Sequence, residues 1–138
     1  MAKRAHLINP ACLDDYAFMA ARVSEGFSVQ AAFELGAALD ISREQLATLI
    51  GIPERTLHRR LQHDERLRTD ESERVWRVQR LFRKAVEVFE SDRRARQWFV
   101  SSHPKALAGK TPLEFAATEP GAREVENLLG RIEHGVFS

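Results

Sequence analysis

The chain has 138 residues, 43% of them hydrophobic and 30% charged, with a formal net charge of +1. That size supports one compact domain or two small ones, and the apolar fraction argues against wholesale disorder. No apolar run reaches the roughly 20 residues of a membrane span, no secretory signal is visible, and the lone Cys12 rules out an internal disulfide, so a cytoplasmic protein without a membrane partner is expected.

Residues 1–13 carry little pattern and read as a lead-in. From Asp14 a helix is expected, with Tyr16, Met19, Ala20 and Val23 as its apolar stripe and Gly26 as its end. Ser28 is placed to cap a second helix, Val29 to about Leu39, with Phe33 as the main core candidate. Few β-branched residues and no alternating strands predict an all-α protein.

The stretch ISREQLATLIGIPERTLHRRLQ, Ile41–Gln62, holds a stronger signal. Ser42 and Gln45 have capping-box spacing, which predicts a helix from Arg43 to Ile50 with Leu46, Leu49 and Ile50 inward. Gly51 permits a sharp turn, and Pro53 opens another helix on which Leu57 and Leu61 lie one turn apart. Two short helices around a glycine turn form a helix-turn-helix, a corner also found in helical proteins that never touch DNA. With Leu57 and Leu61 buried, Arg55, Arg59 and Gln62 fall on the outer side, as a recognition helix requires. Thr56 and Arg60 lie on its flank, suited to phosphates, and His58 joins them as a DNA-binding candidate. Residues 43–68 hold six Lys/Arg against four Asp/Glu, residues 1–42 three against five, and residues 69–138 twelve against eleven, so positive excess is modest and local. One such unit makes too few base contacts for specificity, which predicts a homodimer on a two-fold operator DNA.

A charged bridge follows. Thr69 is placed as a cap, with Asp70 and Glu71 in the first turn of a helix running to about Glu90. Its inward face is Val75, Val78, Leu81, Phe82, Ala85, Val86 and Phe89, and Arg74, Arg77, Arg80, Arg83 and Lys84 read as its solvated surface. Ser91 caps a helix bearing Ala95, Trp98 and Phe99, ending before His103-Pro104. The loop HPKALAGK, with Lys105 and Lys110, is expected to be exposed enough for partner contact.

Thr111, Pro112 and Glu114 form another helix start, predicting a short helix Pro112–Thr118 broken at Glu119-Pro120-Gly121. The next helix, Gly121–His134, buries Val125, Leu128, Leu129 and Ile132, and Gly135 suits a left-handed cap. Val136, Phe137 and Ser138 follow. The apolar pair either folds back on its own core or enters a partner's pocket; spacing leaves both readings open.

The run TPLEFAATEPGAREVENLLGRIEHGVF, with Trp98 and HPKALAGKTP ahead of it, resembles the C-terminal toxin-binding domain of the Xre/MbcA/ParS antitoxins, back to about Thr69. The pattern of small, glycine and apolar positions in Ile41–Gln62 resembles the Xre-type repressor module. The resemblance implies a cognate RES-domain toxin, an enzyme that consumes NAD or transfers from it, neutralised when the antitoxin's C-terminal segment occupies its active site. It implies toxin contacts at Lys105, Lys110, Asn127, Arg131, His134, Gly135, Val136, Phe137 and Ser138.

The five histidines (His6, His58, His63, His103, His134) show no metal-ligand spacing, and no HExxH, phosphate loop or GxSxG turn occurs. No catalysis, cofactor or metal is expected. The reading is an antitoxin with a helix-turn-helix domain over 1–68 and a toxin-binding domain over 69–138, repressing its own operon. The alternative is a stand-alone transcription regulator whose second half dimerises or senses a ligand.

Overall fold

In the computed structural model, residues 13–135 are described; Cys12, His6, Val136, Phe137 and Ser138 lie outside them. The described residues are all-α: α1 Tyr16–Glu25, α2 Val29–Leu39, α3 Arg43–Ile50, α4 Glu54–His63, α5 Thr69–Phe89, α6 Asp92–Ser101, α7 Pro112–Phe115 and α8 Glu119–Glu133, with a 3-10 turn at Lys105–Leu107. Backbone contacts divide the chain into two units, with the boundary inside α5 between Trp76 and Arg77.

In the first unit, local sequence sets each helix. Asp15 caps α1, Ser28 caps α2, and Ser42 with Gln45 closes the capping box of α3. Their apolar sides meet in a core that includes Met19, Val29, Leu35, Leu39, Leu46, Ile50, Leu57 and Val75. Gly26 turns the chain at φ 89°, where an added Cβ would sit 2.4 Å from the carbonyl oxygen of Leu67. Only glycine allows that approach, which lets Leu67 N–H donate to Phe27 O at 2.8 Å beside an isolated antiparallel bridge, Ser28 to Arg66. Phe33 is not the core residue expected: it stays half-exposed beneath the guanidinium of Arg43, 5.5 Å from its ring centroid, while Leu35 and Leu39 fill the core. Tyr16 likewise leaves the expected stripe; it is 60% exposed and stands edge-on to Trp76.

In the second unit, the later part of α5 packs with α6, α7 and α8 around Leu81, Phe99, Leu107, Val125 and Leu129. Phe82 meets Phe99 with ring centroids 5.9 Å apart. The expected break at Glu119-Pro120-Gly121 is instead the first turn of α8. Proline is tolerated there because its missing N–H would have no intrahelical acceptor, and Thr118 Oγ1 accepts from Gly121 N at 3.2 Å. The preceding α7 therefore ends early, at Phe115. Gly121 is also a contact point, since a Cβ there would lie 1.8 Å from Phe115 O.

The arginines of α5 are not a merely solvated surface. Arg74 donates to Ile50 O at 2.8 Å, Arg77 to Ala117 O at 3.1 Å, and Arg80 grips Glu126 with two bonds of 3.0 and 3.1 Å. Each guanidinium ties its helix to a neighbouring backbone or carboxylate within its own unit.

Candidate functional site

Helices α3 and α4 are joined by a turn at Gly51, whose φ of 90° lies in the left-handed region. The turn is held from below: the Arg74 bond satisfies the Ile50 carbonyl, and a Cβ on Gly51 would come within 2.9 Å of Arg74 Nη1. Small Ala47, 3% exposed, sits on the buried side of α3 with Leu46 and Ile50, while Leu57 anchors α4 from the opposite side. This fixes which face of α4 is left to solvent.

Arg55, His58, Arg59 and Gln62 are all exposed, and Thr56 is half-buried. Arg55, Arg59 and Gln62 follow one another at helical spacing and form one row, a donor surface fit for phosphate oxygens and base edges. Arg59 has only a long 4.0 Å ion pair with exposed Glu65, weak enough to yield to a phosphate. Arg43 Nη1 lies 3.3 Å from His58 Nδ1. A guanidinium only donates, so in this contact Nδ1 is the acceptor.

Arg60 is placed elsewhere than the outer flank expected for it. Its side chain is 11% exposed and its guanidinium pairs with the 2%-exposed carboxylate of Glu71. Glu71 Oε1 also accepts from Arg68 N at 2.8 Å, so one carboxylate closes the start of α5 and holds α4. The reason is geometric: Arg60 lies three residues after Leu57 and shares its buried side. Sequence reasoning missed Glu71, Arg74 and Arg43 as supports of this site. The only local signal was the spacing of Glu71 three residues after Arg68, that of a carboxylate reaching back to a helix start.

In the second unit, Asn127, Arg131 and His134 fall on one side of α8 at spacings of four and three. Asn127 and His134 are exposed, and Asn127 Nδ2 donates to Glu124 at 3.3 Å. Arg131 is half-buried, and its Nε has no hydrogen-bond partner among the described residues. Gly135, at φ 75°, ends the helix, its N–H bonding to Ile132 O. Lys110 lines a depression of about 380 Å³ with Glu114, Phe115, Pro120, Gly121 and Glu124. Lys105 is exposed at the head of the 3-10 turn and does not line that depression. The structure thus groups Asn127, Arg131 and His134, while Val136, Phe137 and Ser138 lie outside the described residues.

Hydrogen bonds from Arg80 hold the carboxyl of Glu126 below its usual range, keeping this ion pair intact at neutral pH. No group of three or more metal-binding side chains occurs among the described residues, and no described helix is long and apolar enough to cross a membrane.

Comparison with known proteins assigns both halves. Residues 18–80 match the antitoxin Xre-like helix-turn-helix domain, and residues 84–135 match the antitoxin Xre/MbcA/ParS C-terminal toxin-binding domain. The chain is 38% identical to a protein named antitoxin Xre from Yersinia enterocolitica, over 84% of this chain and 78% of the relative. It is 33% identical to an antitoxin Xre from Photorhabdus laumondii, over 84% and 78% of the two chains. A third antitoxin Xre, from Pseudomonas putida, is 31% identical over 83% of this chain and 70% of the relative.

Proposed function

Because the chain belongs to the Xre antitoxin family, with a helix-turn-helix domain and a toxin-binding domain, we propose that it neutralises a RES-domain toxin by occluding its NAD-using active site. The segment after Gly135 enters the toxin's cavity, and α8 presents Asn127, Arg131 and His134 along the rim. Arg131 pairs with a catalytic acid of the toxin, and Phe137 fills apolar space. Lys105 and Lys110 contact the toxin outside the cavity. The observation that carries this reading is the row of Asn127, Arg131 and His134 leading to Gly135 at the end of α8, with Asn127 and His134 exposed.

The helix-turn-helix serves the second activity, repression of the protein's own operon by a cytoplasmic homodimer. Arg55, Arg59 and Gln62 meet operator DNA, flanked by Thr56 and His58. Arg60 acts from beneath, by holding α4 against Glu71.

The test is co-expression with the toxin encoded beside it, followed by purification of the complex and an assay of NAD consumption. Deleting Val136–Ser138 is expected to release toxin activity while the two proteins still copurify. Full inhibition by the shortened chain would refute occlusion by this segment.

A further inference from the structure

The end of α5 and one side of α6 border an open depression of about 580 Å³, lined by Phe89, Arg94, Gln97, Trp98, Ser101 and Ser102. Its two rings, Phe89 and Trp98, are half-buried with centroids 5.5 Å apart, and Trp98 is backed by fully buried Phe99 at 6.4 Å. The aromatic floor is thus held by packing and already partly out of water. Asn127, Arg131, His134, Lys105 and Lys110 do not line it. We propose that this depression is a second docking site for the toxin, taking an apolar side chain flanked by a carboxylate. The proposal rests on the toxin-neutralising reading above and adds a contact apart from the α8 row; every lining residue falls within the match to the toxin-binding domain, 84–135.

The polar groups of the lining select the occupant. The Arg94 guanidinium, the Gln97 amide, the Trp98 indole N–H and the Ser101 hydroxyl have no hydrogen-bond partner among the described residues. A guanidinium and an indole can only donate, so what they require is an acceptor. Arg94 is the one charged side chain in the lining, and no carboxylate shares it. Glu87 and Asp92 stand two residues before Phe89 and Arg94, about 200° round their helices, and so face elsewhere. Glu87 is also paired with Arg83 at 2.9 Å. Exposed Glu90, at φ 54° where the chain leaves α5, is not in the lining either. Donors and one positive charge around an aromatic floor complement an Asp or Glu beside an apolar residue. The open shape favours a protein partner: a small ligand here would stay largely in water, whereas a docked side chain brings its own surroundings to close the site. One arginine neutralises too few phosphates to hold a nucleic acid. Trp and Arg at a preformed recess are also the residue types in which binding energy concentrates.

Calorimetric titration of the toxin with full-length antitoxin variants, beside an assay of NAD consumption, tests this. Arg94→Glu, at an exposed position, is expected to raise the dissociation constant at least about 10-fold, and Arg94→Lys, which keeps the charge, by clearly less. Trp98→Ala should also cost at least about 10-fold, with circular dichroism to check its folding; if it does not fold, Arg94→Glu decides alone. Because the site docks the toxin without entering its cavity, excess Arg94→Glu chain should restore full inhibition, the reverse of the Val136–Ser138 deletion. Inhibition that excess cannot restore would put Arg94 at the cavity and overturn a separate site. Toxin affinity unchanged by Arg94→Glu would overturn the site and leave the occlusion reading standing, and a loss confined to DNA binding would assign this face to nucleic acid instead. A parent chain that does not bind the toxin would overturn both.

Discussion

The guanidinium of Arg60 and the carboxylate of Glu71 are paired inside the first unit, with side-chain exposures of 11% and 2%. Arg60 belongs to α4 and Glu71 to the first turn of α5, so the pair fixes the helix whose outer face carries Arg55 and Arg59. Removing one partner strands a buried charge, at a cost of about 3–5 kcal/mol, whereas replacing both by apolar residues of similar size costs far less. Glu71→Ala is therefore expected to lower the thermal midpoint sharply and to weaken DNA binding with it. The double variant Arg60→Met, Glu71→Leu should recover most of the stability. Thermal unfolding followed by circular dichroism decides; equal losses in the single and double variants would contradict the account.

The outer row of α4 should behave in the opposite way. Arg55 and Arg59 are exposed and hold no structural bond beyond the 4.0 Å pair of Arg59 with Glu65. Arg55→Ala and Arg59→Ala are expected to leave the unfolding free energy within about 0.5 kcal/mol of the parent. Each should weaken operator binding by about 1–3 kcal/mol if it reads a base, or lower the salt slope by about one if it meets a phosphate. Titrations of labelled upstream DNA at several salt concentrations separate these outcomes. Operator affinity unaltered in the double variant would remove this face from the proposed interface.

What the sequence could show and what it could not divides along distance in the chain. The capping boxes Ser42/Gln45 and Thr111/Glu114, the turn at Gly51 and the exposed row Arg55, Arg59, Gln62 all depend on neighbours within a few residues. The pairs Arg60–Glu71 and Arg80–Glu126 span 11 and 46 residues, and no local pattern announces them. The arginines of α5 consequently read as a solvated face. The start of α8 was hidden for another reason: Pro120-Gly121 has the composition of a break, and only the Thr118 cap turns it into a first helical turn. The toxin-facing assignments came through resemblance; the structure adds the alignment of Asn127, Arg131 and His134 along α8.

Two glycines of α8 should respond oppositely to the same change. An alanine Cβ at position 121 would lie 1.8 Å from Phe115 O, a backbone atom that cannot swing aside, whereas at position 130 nothing lies within 4 Å. Gly121→Ala must push α8 away from α7 and is expected to destabilise by about 2 kcal/mol or more. Gly130→Ala relieves a mid-helix glycine and should stabilise by about 0.5–1 kcal/mol. Urea unfolding of both variants checks the pair. A neutral Gly121→Ala would mean that the close helix contact is absent in solution.

Acid should loosen the second unit through its carboxylates. Glu126 is held below its usual pKa of 4.5 by hydrogen bonds from Arg80, and Glu114 by the backbone N–H of Thr111 in its capping box. A carboxyl whose folded pKa is depressed binds fewer protons than in the unfolded chain, so its contribution is fully present above about 4.5 and disappears as pH falls through the lower folded value. Stability should therefore be level from pH 7 to about 5 and decline below about 4.5. Glu126→Gln should begin lower at pH 7, by about 1 kcal/mol once solvent screening of this half-buried pair is allowed for, and decline less steeply. The two curves then converge in acid, because protonated Glu126 and glutamine offer Arg80 similar neutral oxygens. Denaturant titrations across pH 7 to 3 provide the comparison, and curves that run parallel throughout would show that this ion pair contributes nothing to the acid sensitivity.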